Sequence, residues 1–275
     1  MITELIGPGP AEALAGLLGV PLPGLAGGAG LPLAWHWLYL LDRPAQADLG
    51  PDGHPVRGTV PVPPGPGLRR MRAGGAIRLE SPLRIGEPAT RRTTVLSTQD
   101  KEGRTGRLTF VAVEHEISQG GRIAVRERQD LVYRAPAALE PGPDTAPLPV
   151  DGDEWSIDVS PTLLFRFSAL TYNAHRIHYD RPYAREVEGY PGLLTHGPLQ
   201  ALAMAEVARA RYPLGDAGFA FEYRLVAPLF DHQGLVVRAR AGDDGIETVA
   251  RDSGGRTTAR GTITRQAGTS GSSPW

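Results

Sequence analysis

Apolar and polar positions fall into two successive series along the chain, each a helix-like stretch followed by alternating stretches. Ala11 to Leu18 (AEALAGLL) has apolar residues at helical spacing and is closed by Gly19, Pro21 and Pro23, which stop helices. Leu33 to Leu41 (LAWHWLYLL) is apolar nearly all round, the pattern of a buried helix. From Arg69 the pattern turns to alternation and β-branched runs. It predicts strands over Met71–Leu79, Ala89–Ser97, Arg107–Ile117 and Arg122–Tyr133, with Gly103, Gly120 and Gly121 in the turns. The series then recurs. Pro198 to Arg211 (PLQALAMAEVARAR) reads as a helix with Pro in its first turn, and strands follow over Phe219–Val226, Gly234–Ala241, Ile246–Asp252 and Thr257–Arg265.

A faint repeat accompanies this order. GGAIRLESPLRI (74–85) lies over AFEYRLVAPLFD (220–231) at an offset of 146 residues, matching Arg78 with Arg224, Leu79 with Leu225, Pro82 with Pro228 and Leu83 with Leu229. In a chain rich in these residues the shared order of elements is the stronger argument. Two breaker-rich stretches punctuate the chain. Arg43 to Leu68 holds seven Pro and five Gly and must be loop; loops of that length are usually functional or disordered. Ala135 to Gly152 carries Pro136, Pro141, Pro143, Pro147 and Pro149, a composition suited to a stiff connection. The expected organisation is an N-terminal domain over 1–150, a C-terminal domain over 151–265 and a disordered tail over 266–275.

Composition narrows the function classes. With 35 Gly and 26 Pro among 275 residues an all-helical bundle is excluded. Lys and Arg number 29 against 30 Asp and Glu, so no global field draws nucleic acid or an anionic membrane surface. The absence of Cys removes disulfides, thiolate metal sites and a Cys nucleophile. Leu31 to Leu41 is too short to span a bilayer and is interrupted by His36, and the first 42 residues lack the Lys or Arg of a signal or presequence. The expectation is a soluble cytoplasmic protein with a small-molecule partner, no nucleic acid and no membrane.

The chemistry gathers between Phe165 and Glu206. There His175, His178 and His196, three of the seven histidines, lie with Asn173, Asp180 and Tyr183 directly before the predicted buried helix. This mixture of titratable, aromatic and apolar residues suits neither a core strand nor a solvent loop. His196-Gly197-Pro198 stands at the helix N-terminus, where free N–H groups favour developing negative charge and Gly lets a substrate oxygen come close. It reads as an oxyanion site, or as a plain cap with a core histidine.

Asn173-Ala174-His175-Arg176-Ile177-His178-Tyr179-Asp180, with Tyr183-Ala184 and then GLLTHG over Gly192 to Gly197, resembles the D-x-N-P-x-H-x-D-x-x-Y-A and H-G pattern of the MaoC-like (type 2) hydratase/dehydratase family. Within it the chain is most similar to the hydroxyacyl-thioester dehydratase type 2 branch, which includes 3-methylfumaryl-CoA (mesaconyl-C4-CoA) hydratases; PLAWHWLYLLD and RRMRAGG resemble that branch as well. The resemblance implies an α+β double hot-dog, each half an antiparallel sheet wrapped around a central helix. It implies that the C-terminal half carries the catalytic motif and the N-terminal half shapes the acyl pocket. It implies a hydro-lyase acting reversibly on an enoyl or 3-hydroxyacyl thioester of CoA or a carrier protein, with no cofactor.

By position, His178 falls on the family's catalytic histidine and is the expected general base and acid. The catalytic aspartate falls on Asn173, and an amide exchanges no protons. Either Asn173 orients the water while His178 alone moves protons, or another carboxylate such as Asp180 serves; the first fits the spacing better. His175 would donate to the thioester or fix the loop. Gly197 N–H would meet the thioester oxygen, with His196 orienting that turn. Phosphates of the carrier call for Arg near the pocket, with Arg176, Arg181, Arg69, Arg70 and Arg72 as candidates, and a second carboxylate on the acyl group would pair with one pocket Arg. Tyr183 is also a candidate at the site, although it and Tyr190 read more readily as packing. Trp35, His36 and Trp37 read as core or as the lining of an acyl tunnel.

Three rivals remain open. A hot-dog thioesterase wants a carboxylate near the helix start, but the first acid after His196 is Glu206, ten residues on. His175, His178, Asp180 and His196 as metal ligands are a weak pattern, so no metal is expected. A thioester-binding module without turnover would explain Asn173. A homodimer is compatible with the architecture.

Overall fold

The computed structural model describes every residue except 23, 25–27, 66, 104–105, 137–144 and 267–275. All but the first residue of the expected tail, together with Pro141 and Pro143 of the connecting stretch, therefore lie outside the described residues. The strands are β1 (Ile2–Leu5), β2 (Arg69–Leu79), β3 (Pro88–Gly103), β4 (Gly106–Gln119), β5 (Arg122–Arg134), β6 (Glu154–Ile157), β7 (Phe219–Leu225), β8 (Leu235–Gly242), β9 (Gly245–Arg251) and β10 (Thr257–Arg265). The helices are α1 (Gly9–Leu18), α2 (Pro161–Leu170) and α3 (Gly197–Arg211).

All ten strands form one antiparallel sheet in the order β1-β3-β4-β5-β2-β7-β10-β9-β8-β6. Read from either edge inward, the two sets of five strands have the same order. They meet where β2 pairs with β7, from Gly74↔Arg224 to Leu79↔Phe219. Under an offset of 146 residues, Ala76 maps to Glu222, and Ala76↔Glu222 is itself a pair of that ladder. The repeat therefore corresponds to a pseudo-two-fold axis through the seam. The GG of RRMRAGG has a steric reason there: a Cβ on Gly74 would lie 2.4 Å from Tyr223 O, and one on Gly75 2.3 Å from Arg128 O.

α3 lies across β8, β9 and β10. Every residue from Leu199 to Ala208 is buried, and all of them but Gln200 and Glu206 are apolar. α1 follows β1 as α2 follows β6, and the two helices pack on each other. This is the α+β double hot-dog arrangement that was expected. Among the described residues no helix is long and apolar enough to cross a membrane.

Two local expectations are corrected. Leu33–Leu41 is not a continuous helix but a single 3-10 turn, Trp35–Leu38, because Ala34 (φ 69°) and Leu40 (φ 54°) take left-handed conformations on either side. Its side chains are held by distant partners: Trp35 Nε1 donates to Glu206 at 2.7 Å, Trp37 Nε1 to Glu127 at 2.8 Å and Tyr39 OH to Gly7 O at 2.8 Å. The sequence also concealed α2, whose start is set by Ser160 Oγ accepting from Leu163 N at 3.2 Å with Pro161 in the first turn. Gly75→Val should lower stability by about 1–3 kcal/mol, seen as a reduced urea midpoint, because the seam leaves no room for a side chain there.

Candidate active site

After α2 the chain turns at Tyr172 (φ 50°) and enters a short 3-10 turn, Arg176–His178. Leu194 N donates to Ile177 O at 3.0 Å, and Thr195 N to Leu229 O at 2.7 Å, which guides the chain into α3. His178 is buried, with Nδ1 2.7 Å from Leu194 O. A carbonyl can only accept, so Nδ1 carries the hydrogen and Nε2 keeps its lone pair. The ring stacks on His196 with centroids 3.6 Å apart and 17° between planes. His196 Nε2 in turn meets Ser168 Oγ of α2 at 2.9 Å.

Gly197 opens α3 beside these rings, and its N–H, in the first turn, has no acceptor within the helix. A Cβ here would lie 2.2 Å from Leu225 Cδ1, so glycine is dictated by packing as well as by access.

The breaker-rich stretch supplies the other wall. Arg176 N donates to Asp52 O at 2.8 Å and Arg176 Nη1 to Pro51 O at 3.0 Å, while Nε and Nη2 hold Asp180 and the guanidinium lies 3.9 Å over the Tyr183 ring. Gly53 has φ +86°, and a Cβ on it would lie 1.9 Å from Ala174 O, so only glycine permits this docking. Asp52 then accepts from His54 N at 3.0 Å and from His54 Nδ1 at 3.3 Å. The His54 ring lies 3.8 Å from His175, and His175 lies 5.4 Å from His178. Four imidazoles thus run in a row from the loop to α3.

Burial is the main cause of the low pKa values in this row. It pushes His178 down to about 4 despite the Leu194 carbonyl, and lowers His54, His175 and His196 as well. All four are neutral bases at neutral pH. Burial alone would raise the Asp52 carboxyl, but hydrogen bonding to His54 outweighs it and holds Asp52 below its ordinary value.

These residues face a cavity of about 930 Å³ lined by Asn173, His175, His178, His196, Gly197 and His54, and, farther along, by His36, Trp37, Arg70, Arg72, His115 and Glu127. In that far part Glu127 accepts from Arg72, from Trp37 Nε1 and from Gln129 Nε2, with His36 Nε2 at 3.2 Å. Burial alone would raise its carboxyl, but Arg72 and His36 hold it far below the carboxylate range.

Of the residues singled out from sequence, His178, His175, Asn173, His196 and Gly197 come together on the cavity wall. Arg176, Tyr183, Asp180 and Arg181 do not line it: the first three form the clamp on the loop, and Arg181 pairs with Asp231. Arg69 is paired with Glu188 at 2.5 Å. Asn173 Oδ1 accepts from His175 N at 3.0 Å, which ties the side chain to its own loop, and its NH2 can only donate. Trp35 is core, whereas His36 and Trp37 line the cavity. Asp52 and His54 stand outside the motif region of the sequence, although PDGHP within the loop pairs an acid and a histidine around a turn glycine.

The His175, His178, Asp180 and His196 set considered as metal ligands is not assembled, since Asp180 is held by Arg176. Ligand-type atoms of Asp52, His54 and His175 do lie within 4.8 Å of one another, but Asp52 and His54 already satisfy each other by hydrogen bonding.

The family model described as hydroxyacyl-thioester dehydratase type 2 matches residues 34–231. A mesaconyl-C(4)-CoA hydratase of Chloroflexus aurantiacus is 47% identical over 235 residues, covering 85% of this chain and 83% of that protein. A MaoC-like dehydratase of Phytophthora capsici superposes with a TM-score of 0.68 at 16% identity, covering 97% of this chain and 95% of that one. A Mycobacterium tuberculosis protein described as a double hot-dog gives a TM-score of 0.56 at 14% identity, covering 96% and 94%. The structural likenesses agree with the fold, and the sequence matches go further: the chain belongs to the hydroxyacyl-thioester dehydratase type 2 family of MaoC-like hydratases and dehydratases.

Proposed function

We propose that this protein is a hydro-lyase that reversibly adds water across the double bond of an enoyl thioester to give the 3-hydroxyacyl thioester. The observation that carries the reading is His178: its Nδ1–H is fixed on Leu194 O, and its Nε2 is left as a base on the cavity wall beside the first N–H of α3. Water gives a proton to His178 Nε2 as its oxygen bonds to the β carbon. The electron pair of the double bond moves toward the thioester oxygen, where Gly197 N–H and the end of the α3 dipole receive the charge. Return of a proton to the α carbon completes the addition, and dehydration is the reverse.

Asn173, with its oxygen engaged by His175, is assigned to shaping the loop. We assign His54, backed by Asp52, as the second group that moves protons. On this reading residues 151–265 supply His178 and the oxyanion site, while residues 1–150 contribute the acyl pocket and, through the Asp52–His54 loop, the second proton-moving group. A CoA or carrier-protein thioester is the substrate class, and an unsaturated dicarboxylic acyl group, as in the name of the Chloroflexus relative, is the finer reading. Thioester hydrolysis is disfavoured because Glu206 is buried and engaged by Trp35 and Arg209.

Hydration of enoyl-CoA esters, followed by loss of the conjugated thioester absorbance, tests the reading. His178→Ala should lower kcat by about 10²–10⁴-fold and His54→Gln by a smaller factor; release of free thiol in place of alkene loss would make the protein a thioesterase. Because His178 titrates near 4 rather than 6.5, kcat/KM should stay level as pH falls through 6.5 and decline only in more acidic buffer. The unfolded chain binds protons on these histidines first, so stability is full above pH 6.5 and lost as pH falls toward 4. The loss from His178 alone is on the order of 3 kcal/mol, readable from urea midpoints across that range. Dialysis against EDTA should leave activity in place; a loss restored by zinc would instead make Asp52, His54 and His175 a metal centre.

A further inference from the structure

Two residues of the buried run Leu199–Ala208 are polar, and the fold treats them oppositely. Glu206 is fully engaged, accepting from Trp35 Nε1 and from Arg209. Gln200 is only 2% exposed, yet among the described residues its side chain has no hydrogen-bond partner, and Oε1 is shut off from water. An amide withdrawn from water without a partner is costly for a fold to keep. Of α3, Gly197, Pro198 and Gln200 line the cavity, and Gln200 is the polar side chain among them.

Position directs that amide to the reacting end. Gln200 N donates to His196 O at 3.2 Å, so Gln200 stands one turn above His196, whose ring stacks on His178. Helical side chains lean toward the N-terminus, which carries the Gln200 amide back over the first turn, where Gly197 N–H has no acceptor within the helix. That turn is short of donors on the cavity side: Pro198 has no N–H, and Leu199 does not line the cavity. An enolate oxygen accepts more than one hydrogen bond, and a single backbone N–H leaves it underprovided. We propose, resting on the hydratase reading above, that the Gln200 amide N–H is the second donor to the thioester oxygen. With Gly197 N–H it completes the site that receives the charge as water adds.

Thr195 Oγ1 and His196 Nδ1 are also buried without a partner at this helix start. His196 is committed elsewhere, with its ring face on His178 and Nε2 on Ser168 Oγ. Thr195 lies ahead of the helix with its N–H on Leu229 O, where no helical tilt carries its short hydroxyl over the first turn. It is therefore the control for the assignment.

The test pairs removal of the amide with removal of the oxygen it binds. Gln200→Met keeps length and bulk without a donor, and should lower kcat/KM by about 10²–10³-fold, most of it in kcat. Every enoyl thioester carries that oxygen, so the loss should be the same on crotonyl-CoA and fumaryl-CoA. Kd is then measured for butyryl-CoA and for the thioether S-butyl-CoA, which has CH2 in place of the carbonyl. Gln200→Met should weaken butyryl-CoA by about 10-fold and leave S-butyl-CoA unchanged, whereas Thr195→Val should not alter the ratio between the two. The Tm of Gln200→Met should equal or exceed that of the wild type, because no protein partner is lost. A marked fall in Tm would show that Gln200 serves the fold and would overturn the assignment. So would equal weakening of both CoA ligands, a loss confined to one enoyl ester, or a lost kcat with both Kd values intact, which would move Gln200 to the attacking water. A ratio abolished by Thr195→Val and untouched by Gln200→Met would give the role to Thr195 and overturn it too. In each of these cases a wild type that hydrates either enoyl ester keeps the hydratase reading in place; a wild type inert on both overturns both readings.

Discussion

The ladder between β2 and β7 is the contact on which the rest of the molecule depends. It joins two five-stranded sets into one sheet and brings β2, with its inward arginines, alongside the strand that leads toward the start of α3. The ladder works because Gly74 and Gly75 let neighbouring carbonyls come closer than any side chain would allow. At the seam Tyr223, opposite Gly75, lies 6.0 Å from the Trp37 ring and 5.8 Å from the Arg72 guanidinium. A slip of one residue would turn the arginines of β2 away from the cavity.

Around that seam the cavity is organised by what burial does to charge. In the far part, Glu127 remains ionised because Arg72, Trp37, Gln129 and His36 converge on it. Near α3, burial has the opposite result, and the row from His54 to His196 is kept neutral because desolvation outweighs what Asp52 offers His54 and what the Leu194 carbonyl offers His178. A neutral imidazole with one nitrogen on a carbonyl has a defined acceptor on the other. Hydration chemistry needs that acceptor, and a solvent-exposed histidine would share its proton with water instead.

The long loop before β2 belongs to the same arrangement. Its glycines and prolines leave it no element longer than the 3-10 turn Gln46–Asp48, and Gly53 lets it lie directly on Ala174. Arg176, which suggested a phosphate ligand in the sequence, holds that loop by two carbonyls and so sets Asp52 and His54 against His175. The site is shared between parts of the chain more than 120 residues apart.

Much of this was legible in the amino-acid order, because the signals are local. Alternation located eight of the strands to within a few residues at most ends, and the helical spacing of apolar residues over Pro198 to Arg211 marked the helix α3. The 146-residue repeat anticipated a two-fold relation that the β2–β7 register expresses, and the spacing from Asn173 to Gly197 marked one wall of the cavity. Tertiary structure decided what depends on distant partners. Leu33–Leu41 has helical periodicity but is broken by anchors to Gly7, Glu127 and Glu206. Asp52 and His54 carry no periodic signal and acquire meaning only where Arg176 docks their loop. Sequence could name the arginines, but not which would be neutralised: that depends on which carboxylates the sheet brings beside them, as Glu127 reaches Arg72 and Asp42 reaches Arg91.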